Sequence, residues 1–193
     1  ADSCGGSEQW RRQRARADGA ARQQVAAVGA GPELGRGGDV VAVRVGAGAL
    51  NLKVSRTVAA AGLGGVEFLG GIPGSMGGAV RMNAGAYGQD VASKLVSAVV
   101  VNRRGCLREQ RVGELGFRYR ASDLADDDIV VEVRLRGYRD TSASVSERMA
   151  QIEKTRSASQ PVRERTGGST FINSPEHHGT TYHLTPSQPV TTR

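Results

Sequence analysis

The residues best suited to binding or catalysis are a run of glycines and an arginine downstream of it. From Gly62 to Gly88, glycine recurs too often for a regular helix or strand to be favoured. Such a backbone is loop-like or closely packed, and it can approach a flat or anionic ligand and present N–H groups to it. Further on, Arg120 carries a fixed cation with planar donors, which suits a developing oxyanion beside a carboxylate. The alternatives are tight turns between strands and a solvated arginine at a strand edge.

The glycine run contains a long motif that resembles a known family. It reads Gly71-Ile-Pro-Gly-Ser75, then Gly77-Gly-Ala79, then Arg81-Met-Asn-Ala-Gly-Ala-Tyr-Gly88. This is similar to the flavin-binding signature of UDP-N-acetylenolpyruvoylglucosamine reductases. The resemblance implies FAD as the cofactor and NADPH as the hydride donor. The FAD contacts that it implies are Gly71, Ile72, Pro73, Gly74, Ser75, Gly77, Asn83, Gly85, Ala86 and Tyr87.

Two shorter elements are similar to the same family in the same order. Tyr119, Arg120 and Ser122 match its Y-R-x-S element, in which the arginine stabilises an enolate, and Tyr119 and Ser122 are implied substrate contacts. Ser169 matches the serine of its G-S-x-F element, which donates a proton, although a serine in a glycine turn is commonly a simple turn residue. The implied reaction is reduction of UDP-N-acetylglucosamine enolpyruvate to UDP-N-acetylmuramate, a step of peptidoglycan precursor synthesis.

The resemblance runs from about Val45 to Phe171 and stops at both ends. Upstream, Gly29-Ala-Gly31 lacks the Ser-Asn pair of the family's pyrophosphate loop, and we expect no strand before it. Downstream, Glu176 is the one acidic residue after Ser169, and its position does not match the family's catalytic glutamate. We therefore expect a family member that is truncated or frame-disrupted at both ends, without normal turnover.

The elements that must position these residues predict an α+β fold. The resemblance implies an incomplete FAD-binding fold of the vanillyl-alcohol oxidase-like type, followed by the start of a C-terminal α/β substrate domain. We expect a poorly ordered basic segment over 1–38, the second FAD-binding subdomain over 39–141, the start of the substrate domain over 142–171 and a disordered tail over 172–193. The predicted elements are a strand from Val40 to Val45, a helix from Asn51 to Ala61 with an asparagine cap, a hairpin of Leu95–Val101 and Cys106–Val112, a strand from Ile129 to Leu135, and an amphipathic helix from Ser142 to Arg156.

The net charge favours anionic binding partners but does not identify one of them. The net charge of +7 over 193 residues suits a nucleic acid, a nucleotide cofactor or a nucleotide-sugar. With four Tyr, three Phe and one Trp, a base-stacking platform is disfavoured, so the basic run Trp10–Arg16 predicts nonspecific phosphate affinity. The alternatives to the reductase are another FAD-dependent oxidoreductase of the same fold and a non-catalytic basic binding module.

Membrane and metal functions are not expected. No stretch is long and apolar enough to span a membrane or to form a signal-peptide core, which predicts a cytoplasmic protein. The three histidines, His177, His178 and His183, lie in a Pro- and Thr-rich tail without cysteine or acidic support, so a metal site is not predicted. The oligomeric state is not predicted.

Overall fold

The main sheet is antiparallel and mixes strands from distant parts of the chain. A computed structural model describes residues 25–28 and 40–159. Its strands are β1 (Val25–Val28), β2 (Val40–Gly46), β3 (Leu63–Gly64), β4 (Gly85–Ala86), β5 (Gln89–Asp90), β6 (Leu95–Val101), β7 (Leu107–Arg111) and β8 (Ile129–Arg139). The sheet has the order β1-β2-β8-β6-β7, with β3 pairing to β8, while β4 and β5 form a separate ribbon. These elements, with the helices below, confirm an α+β fold.

Alternation of apolar side chains explains the two central strands. Val41, Val43 and Val45 of β2 are buried, as are Val133 and Leu135 of β8, so both strands send one face into a single core. The predicted strand from Ile129 is confirmed and continues four residues beyond its expected end, to Arg139. The predicted hairpin of β6 and β7 is also confirmed, with partners running from Ser97–Arg111 to Val101–Leu107.

The helices lie between these strands along the chain. They are α1 (Asn51–Ala60), α2 (Met76–Arg81), α3 (Val91–Lys94) and α4 (Ser142–Ser159), with 3-10 turns at Glu67–Gly71 and Val112–Glu114. Helix α1 is confirmed, and Gly62 follows it with a left-handed φ of +67°. The asparagine cap is wrong, because Leu50 is the capping residue and Asn51 is the first helical residue, fully buried.

Helix α4 confirms the predicted helix, with Val145 buried and Met149 and Ile152 half-buried. Polar contacts fix its first turns. The Thr141 hydroxyl accepts a hydrogen bond of 3.2 Å from the Ser144 N–H and so caps the N-terminus of the helix. Arg148 donates to Glu67 (2.9 Å) in the 3-10 turn and to Asp140 (2.6 Å). This hydrogen bond to Arg148 holds the pKa of Asp140 below its ordinary value, and the Arg148 pKa is raised in turn. Helix α4 is thereby attached to the 3-10 turn that leads into the glycine motif.

The glycine run is partly helical, which differs from the predicted loop. Gly77 lies within α2 beside Ala47, and a Cβ at Gly77 would be 3.0 Å from the Ala47 Cβ. The Gly77 N–H donates to the Ala47 carbonyl at 2.9 Å, so the glycine permits a backbone contact that a side chain would obstruct. The alternative expectation, a close packing of this run, is what the structure shows at this point.

One expectation about the N-terminal segment is wrong. Residues 25–28, placed in a poorly ordered region, form strand β1 and pair with β2, from Val25–Val45 to Val28–Ala42. Strand β1 ends one residue before Gly29, so a strand does precede the sequence Gly29-Ala-Gly31. The other residues of 1–38 and the predicted tail over 172–193 lie outside the described residues, and the domain boundaries stay predictions.

Candidate functional site

The first part of the site is the tight turn that joins β4 to β5. Tyr87 and Gly88 occupy its two central positions, with φ of +56° and +73°, as a two-residue hairpin with left-handed positions requires. The exposed Tyr87 ring lies over Gly71, so close that a Cβ on Gly71 would be 2.5 Å from the ring atom Cε2. The first and last parts of the glycine motif therefore touch, and a side chain at Gly71 would displace the Tyr87 ring.

The second part is the turn that carries Tyr119 and Arg120. Arg118 and Ala121 exchange two backbone hydrogen bonds, of 3.0 and 3.2 Å, which close a two-residue turn. Arg120 adopts a left-handed φ of +55°, a conformation that costs a non-glycine residue about 1 kcal/mol. Its guanidinium carbon lies 4.9 Å from the centroid of the Tyr119 ring, within the range of a cation–π contact.

The two turns meet at Arg120 and Gly85. The Arg120 Nη2 donates a hydrogen bond of 3.1 Å to the Gly85 carbonyl. A Cβ on Gly85 would lie 2.8 Å from the Gln89 carbonyl oxygen and 3.4 Å from the Arg120 Nη1, so this position also needs a glycine. The structure thus brings the glycine motif and the Y-R-x-S element to one place.

Asn83 and Ser122 reinforce the junction through side-chain bonds. The buried Asn83 amide donates to the Arg118 carbonyl at 3.1 Å and to Asp90 at 3.2 Å. The Ser122 hydroxyl donates to the Arg81 carbonyl at 2.7 Å. Asn83, an implied FAD contact, and Ser122, an implied substrate contact, therefore both use their side chains to join segments of the protein.

Gly74 is one of two open positions of the glycine motif, the other being Gly88 in the β4–β5 turn. Gly74 has a φ of +99°, and a Cβ placed on it would meet no heavy atom within 4 Å. Ile72, two residues earlier, packs against the core, and Ser75 caps α2 by accepting from the Gly78 N–H at 3.5 Å. Pro73 is exposed and Ala86 is half-buried. The motif therefore presents its free backbone face around Gly74.

Sequence reasoning missed Asn51 and Asp90. Both side-chain polar atoms of Asn51 are buried without a hydrogen-bond partner among the described residues, whereas the sequence predicts a helix cap at this position. The Asn51 N–H donates to the Gly74 carbonyl at 3.0 Å, so the residue borders the open part of the motif. Asp90 caps α3 by accepting from the Ser93 N–H at 2.9 Å, and it also binds Asn83.

A cavity of about 440 Å³ lies between α1, α4 and the 3-10 turn that precedes the motif. Its lining includes Leu52, Gly70, Gly71, Met149 and Ile152. Arg120 is not among the residues that line it, so this cavity does not coincide with the junction of the two turns.

Three further predictions concern Ser169, metal binding and membrane spans. Ser169 and the three histidines lie outside the described residues. Within residues 25–28 and 40–159, no group of three or more His, Cys, Asp or Glu side chains could hold a metal ion. Over the same ranges, no helix has the length and apolar character needed to cross a membrane.

Comparisons with known proteins agree with the two motifs. No protein-family model matches the chain. The UDP-N-acetylenolpyruvoylglucosamine reductase of Gluconobacter oxydans is 52% identical over 134 residues, which is 69% of this chain and 44% of the relative. The enzyme of the same name from Paramagnetospirillum magneticum is 48% identical over 136 residues, 70% of this chain and 44% of the relative. The chain spans about half the length of the curated relatives that it matches.

A solved structure shows the same likeness in three dimensions. The crystal structure of UDP-N-acetylenolpyruvylglucosamine reductase from Thermus caldophilus is similar with a TM-score of 0.64 and 34% sequence identity. The match covers 78% of this chain and 52% of that one. Fold and sequence thus point in the same direction.

Proposed function

This chain belongs to the UDP-N-acetylenolpyruvoylglucosamine reductase family, and on that premise we propose that it carries the flavin-binding and oxyanion-binding part of such a reductase. The proposed reaction is the NADPH-dependent reduction of UDP-N-acetylglucosamine enolpyruvate to UDP-N-acetylmuramate. The observation that supports it best is the 3.1 Å bond between Arg120 and the Gly85 carbonyl. It joins the glycine motif to the arginine that the chemistry requires.

The glycine motif has room for a flat cofactor. Gly74 combines a left-handed backbone with open space on its Cβ side, which lets a ligand approach the chain closely. We propose that FAD lies against this backbone and against the exposed ring of Tyr87, in an incomplete FAD-binding fold of the vanillyl-alcohol oxidase-like type. The residues that the resemblance implies for holding it are Gly71, Ile72, Pro73, Gly74, Ser75, Gly77, Asn83, Gly85, Ala86 and Tyr87.

Bound FAD would supply hydride transfer from NADPH to the enolpyruvyl double bond. The protein's task is then to orient the substrate and to stabilise the negative charge that develops on its carboxylate. Arg120 suits this task because it is half-buried, carries a permanent charge and has five N–H donors. Among the described residues, the Gly85 carbonyl accepts a hydrogen bond from Arg120. The other N–H donors of the guanidinium can bind a substrate carboxylate or enolate.

The other proposed substrate contacts differ in the bonds that they can make. Tyr119 is exposed beside the Arg120 guanidinium and is proposed to contact the substrate there. The hydroxyl proton of Ser122 already points to the Arg81 carbonyl, so Ser122 would accept a hydrogen bond from the substrate. Ser169 is proposed to donate the proton that completes the reduction, on the strength of its place in the G-S-x-F element.

The partners in this proposal are nucleotides. A net charge of +7 favours binding of a nucleotide-sugar and of pyrophosphate-containing cofactors. The proposal includes a cytoplasmic location.

Titration of the purified chain with FAD tests the cofactor. Gly74→Ala is expected to weaken FAD affinity roughly tenfold, equivalent to about 1.4 kcal/mol, because a methyl group would enter the open face. Gly105→Ala is the matched control, since Gly105 also has a positive φ (+76°) and open space but lies in the β6–β7 turn. Equal FAD affinity in the two variants would remove Gly74 from the proposed cofactor site. No saturable binding by the unaltered chain would remove FAD from the proposal.

A further inference from the structure

Asn83 connects three segments of the protein. It follows α2 with a left-handed φ of +38° and is buried. Its Nδ2 donates to Asp90 (3.2 Å) and to the Arg118 carbonyl (3.1 Å). Its Oδ1 accepts from the Ala92 N–H at 2.9 Å. One amide thus holds the end of α2, the start of α3 and the turn that contains Arg120.

These bonds use the donors of the Asn83 side chain completely. A primary amide has two N–H donors, and both are occupied by acceptors within the protein. The remaining group, Oδ1, faces the Ala92 N–H, and the residue is 5% exposed. A contact between this side chain and FAD would require breaking a buried hydrogen bond, which is unfavourable because it leaves a buried polar group without its partner.

The Arg118 carbonyl is where Asn83 acts on the turn. This oxygen accepts from the Ala121 N–H at 3.2 Å, which closes the turn, and also from Asn83 at 3.1 Å. Arg120 lies inside that turn in a strained left-handed conformation, which persists only when surrounding contacts hold it. Asn83 supplies such a contact from the segment that leads to Gly85.

We propose that Asn83 is a positioning residue that sets the place of Arg120 relative to Gly85, and that it does not touch the flavin. The inference rests on the proposed role of Arg120 in substrate binding, and it replaces the cofactor contact that the resemblance implies for Asn83. Asparagine suits the position because it tolerates a left-handed backbone while offering two donors. An aspartate would lose the donor to Arg118 and place a second carboxylate beside Asp90.

The first test uses the chain without FAD. Asn83→Gly keeps the left-handed backbone accessible and removes the amide, so hydrogen exchange at the Ala121 N–H is expected to become at least tenfold faster. Asn102→Gly is the control, because the Asn102 side chain also accepts two backbone N–H bonds, from Arg104 and Cys106, in the distant β6–β7 turn. Unchanged exchange at Ala121 in Asn83→Gly would overturn the proposal. If Asn83→Gly does not fold, Asn83→Asp replaces it, with the same expected acceleration.

The second test uses the FAD-loaded chain. In Asn83→Gly, FAD affinity is expected to stay within about twofold, whereas the spectral change of the flavin on adding UDP-N-acetylglucosamine enolpyruvate should require about tenfold more substrate. A positioning residue acts through Arg120, so Asn83→Gly should add nothing to the loss already caused by Arg120→Ala. A fall in FAD affinity, or additive losses in the double variant, would show that Asn83 acts independently of Arg120.

The two tests distinguish a failure of the proposed function from a failure of the positioning role of Asn83. If the unaltered chain binds FAD but shows no spectral response to the substrate, the proposed function fails. The exchange rate of Ala121 still decides whether Asn83 holds the turn. Conversely, a normal substrate response with unchanged exchange in Asn83→Gly would preserve the function and refute the positioning role.

Discussion

Arg120 and Gly85 are 35 residues apart in sequence, yet the Arg120 guanidinium donates a 3.1 Å hydrogen bond to the Gly85 carbonyl. The contact joins the turn of the Y-R-x-S element to the hairpin that ends the glycine motif. Residue 85 has no side chain for a separate reason, because a Cβ there would lie 2.8 Å from the Gln89 carbonyl oxygen in the same hairpin. A cation for the substrate is thereby placed beside the segment proposed to bind the cofactor.

Replacing Arg120 should weaken substrate binding more than it changes stability. Hydrogen bonds to charged groups contribute about 1.5–3 kcal/mol, so Arg120→Gly is expected to raise the Kd for UDP-N-acetylglucosamine enolpyruvate roughly 10- to 150-fold. Glycine also removes the left-handed strain, about 1 kcal/mol, which offsets part of the lost contacts in the fold. Flavin difference spectra measure the affinity, with the exposed turn residue Arg104→Gly as control. Equal substrate affinity in the two variants would contradict the role of Arg120.

Ser169→Ala tests the proposed proton donor. Loss of a general acid typically lowers a rate by a factor of about 10²–10⁴, so substrate-dependent oxidation of NADPH should fall by at least that lower factor. FAD affinity and melting temperature should not change, because a single hydroxyl is removed. Ser174→Ala, five residues further along, is the control. If substrate-dependent oxidation is the same in both variants, another group donates the proton.

Adjacent glycines in α2 should respond oppositely to alanine. A Cβ at Gly77 would be 3.0 Å from the Ala47 Cβ, whereas a Cβ at Gly78 meets the Ser75 Oγ at 3.6 Å and nothing nearer. Gly77→Ala should therefore destabilise the chain by about 1–3 kcal/mol through overpacking. Gly78→Ala should stabilise it by roughly 0.5–1 kcal/mol, the usual gain from glycine to alanine in a helix. Urea unfolding of both variants checks this, and equal shifts would refute the close approach of α2 to Ala47.

The buried amide of Asn51 should reduce stability. Its Nδ2 and Oδ1 are both buried without a partner among the described residues, which costs about 1–3 kcal/mol. Asn51→Leu keeps the number and branching of the side-chain heavy atoms and removes the polar groups, so the free energy of unfolding should rise by about that amount. Asn102→Leu, which loses two hydrogen bonds, should lower it. A loss of stability in Asn51→Leu would mean that the amide has a bonding partner in solution.

The Asp140–Arg148 pair should make stability depend on pH in acid. The hydrogen bond from Arg148 lowers the pKa of folded Asp140 below its ordinary value of 3.8, so the unfolded chain binds this proton more readily. The stabilisation is complete above that ordinary value and is lost as the pH falls through the lower pKa of the folded chain. Melting temperatures measured between about pH 5 and pH 2 should show this loss, and Asp140→Asn should flatten it. An unchanged slope in Asp140→Asn would assign the acid dependence to other carboxylates.

Local patterns in the sequence determined most secondary structure. Val41, Val43 and Val45 alternate with shorter or polar residues, and this period of two predicts a strand because successive side chains point to opposite faces. The helix near Asn51 and the helix from Ser142 follow from spacings of three and four. Two predictions are wrong, a cap at Asn51 and the absence of a strand before Gly29. Both rest only on residues that are neighbours along the chain. The pairing of Val25–Val28 with β2 is a contact across the sheet.

The sequence by itself determined the family, the α+β class and the residue types of the candidate site, because long motifs and periodic apolar patterns are properties of the chain alone. Only the tertiary structure decided that Arg120 binds the Gly85 carbonyl and that Tyr87 lies over Gly71. It also decided that both N–H donors of the Asn83 side chain bind acceptors within the protein. The physical reason is that a hydrogen bond depends on distance and direction in space. Residues 35 positions apart acquire both when the β-sheet and its turns bring them together.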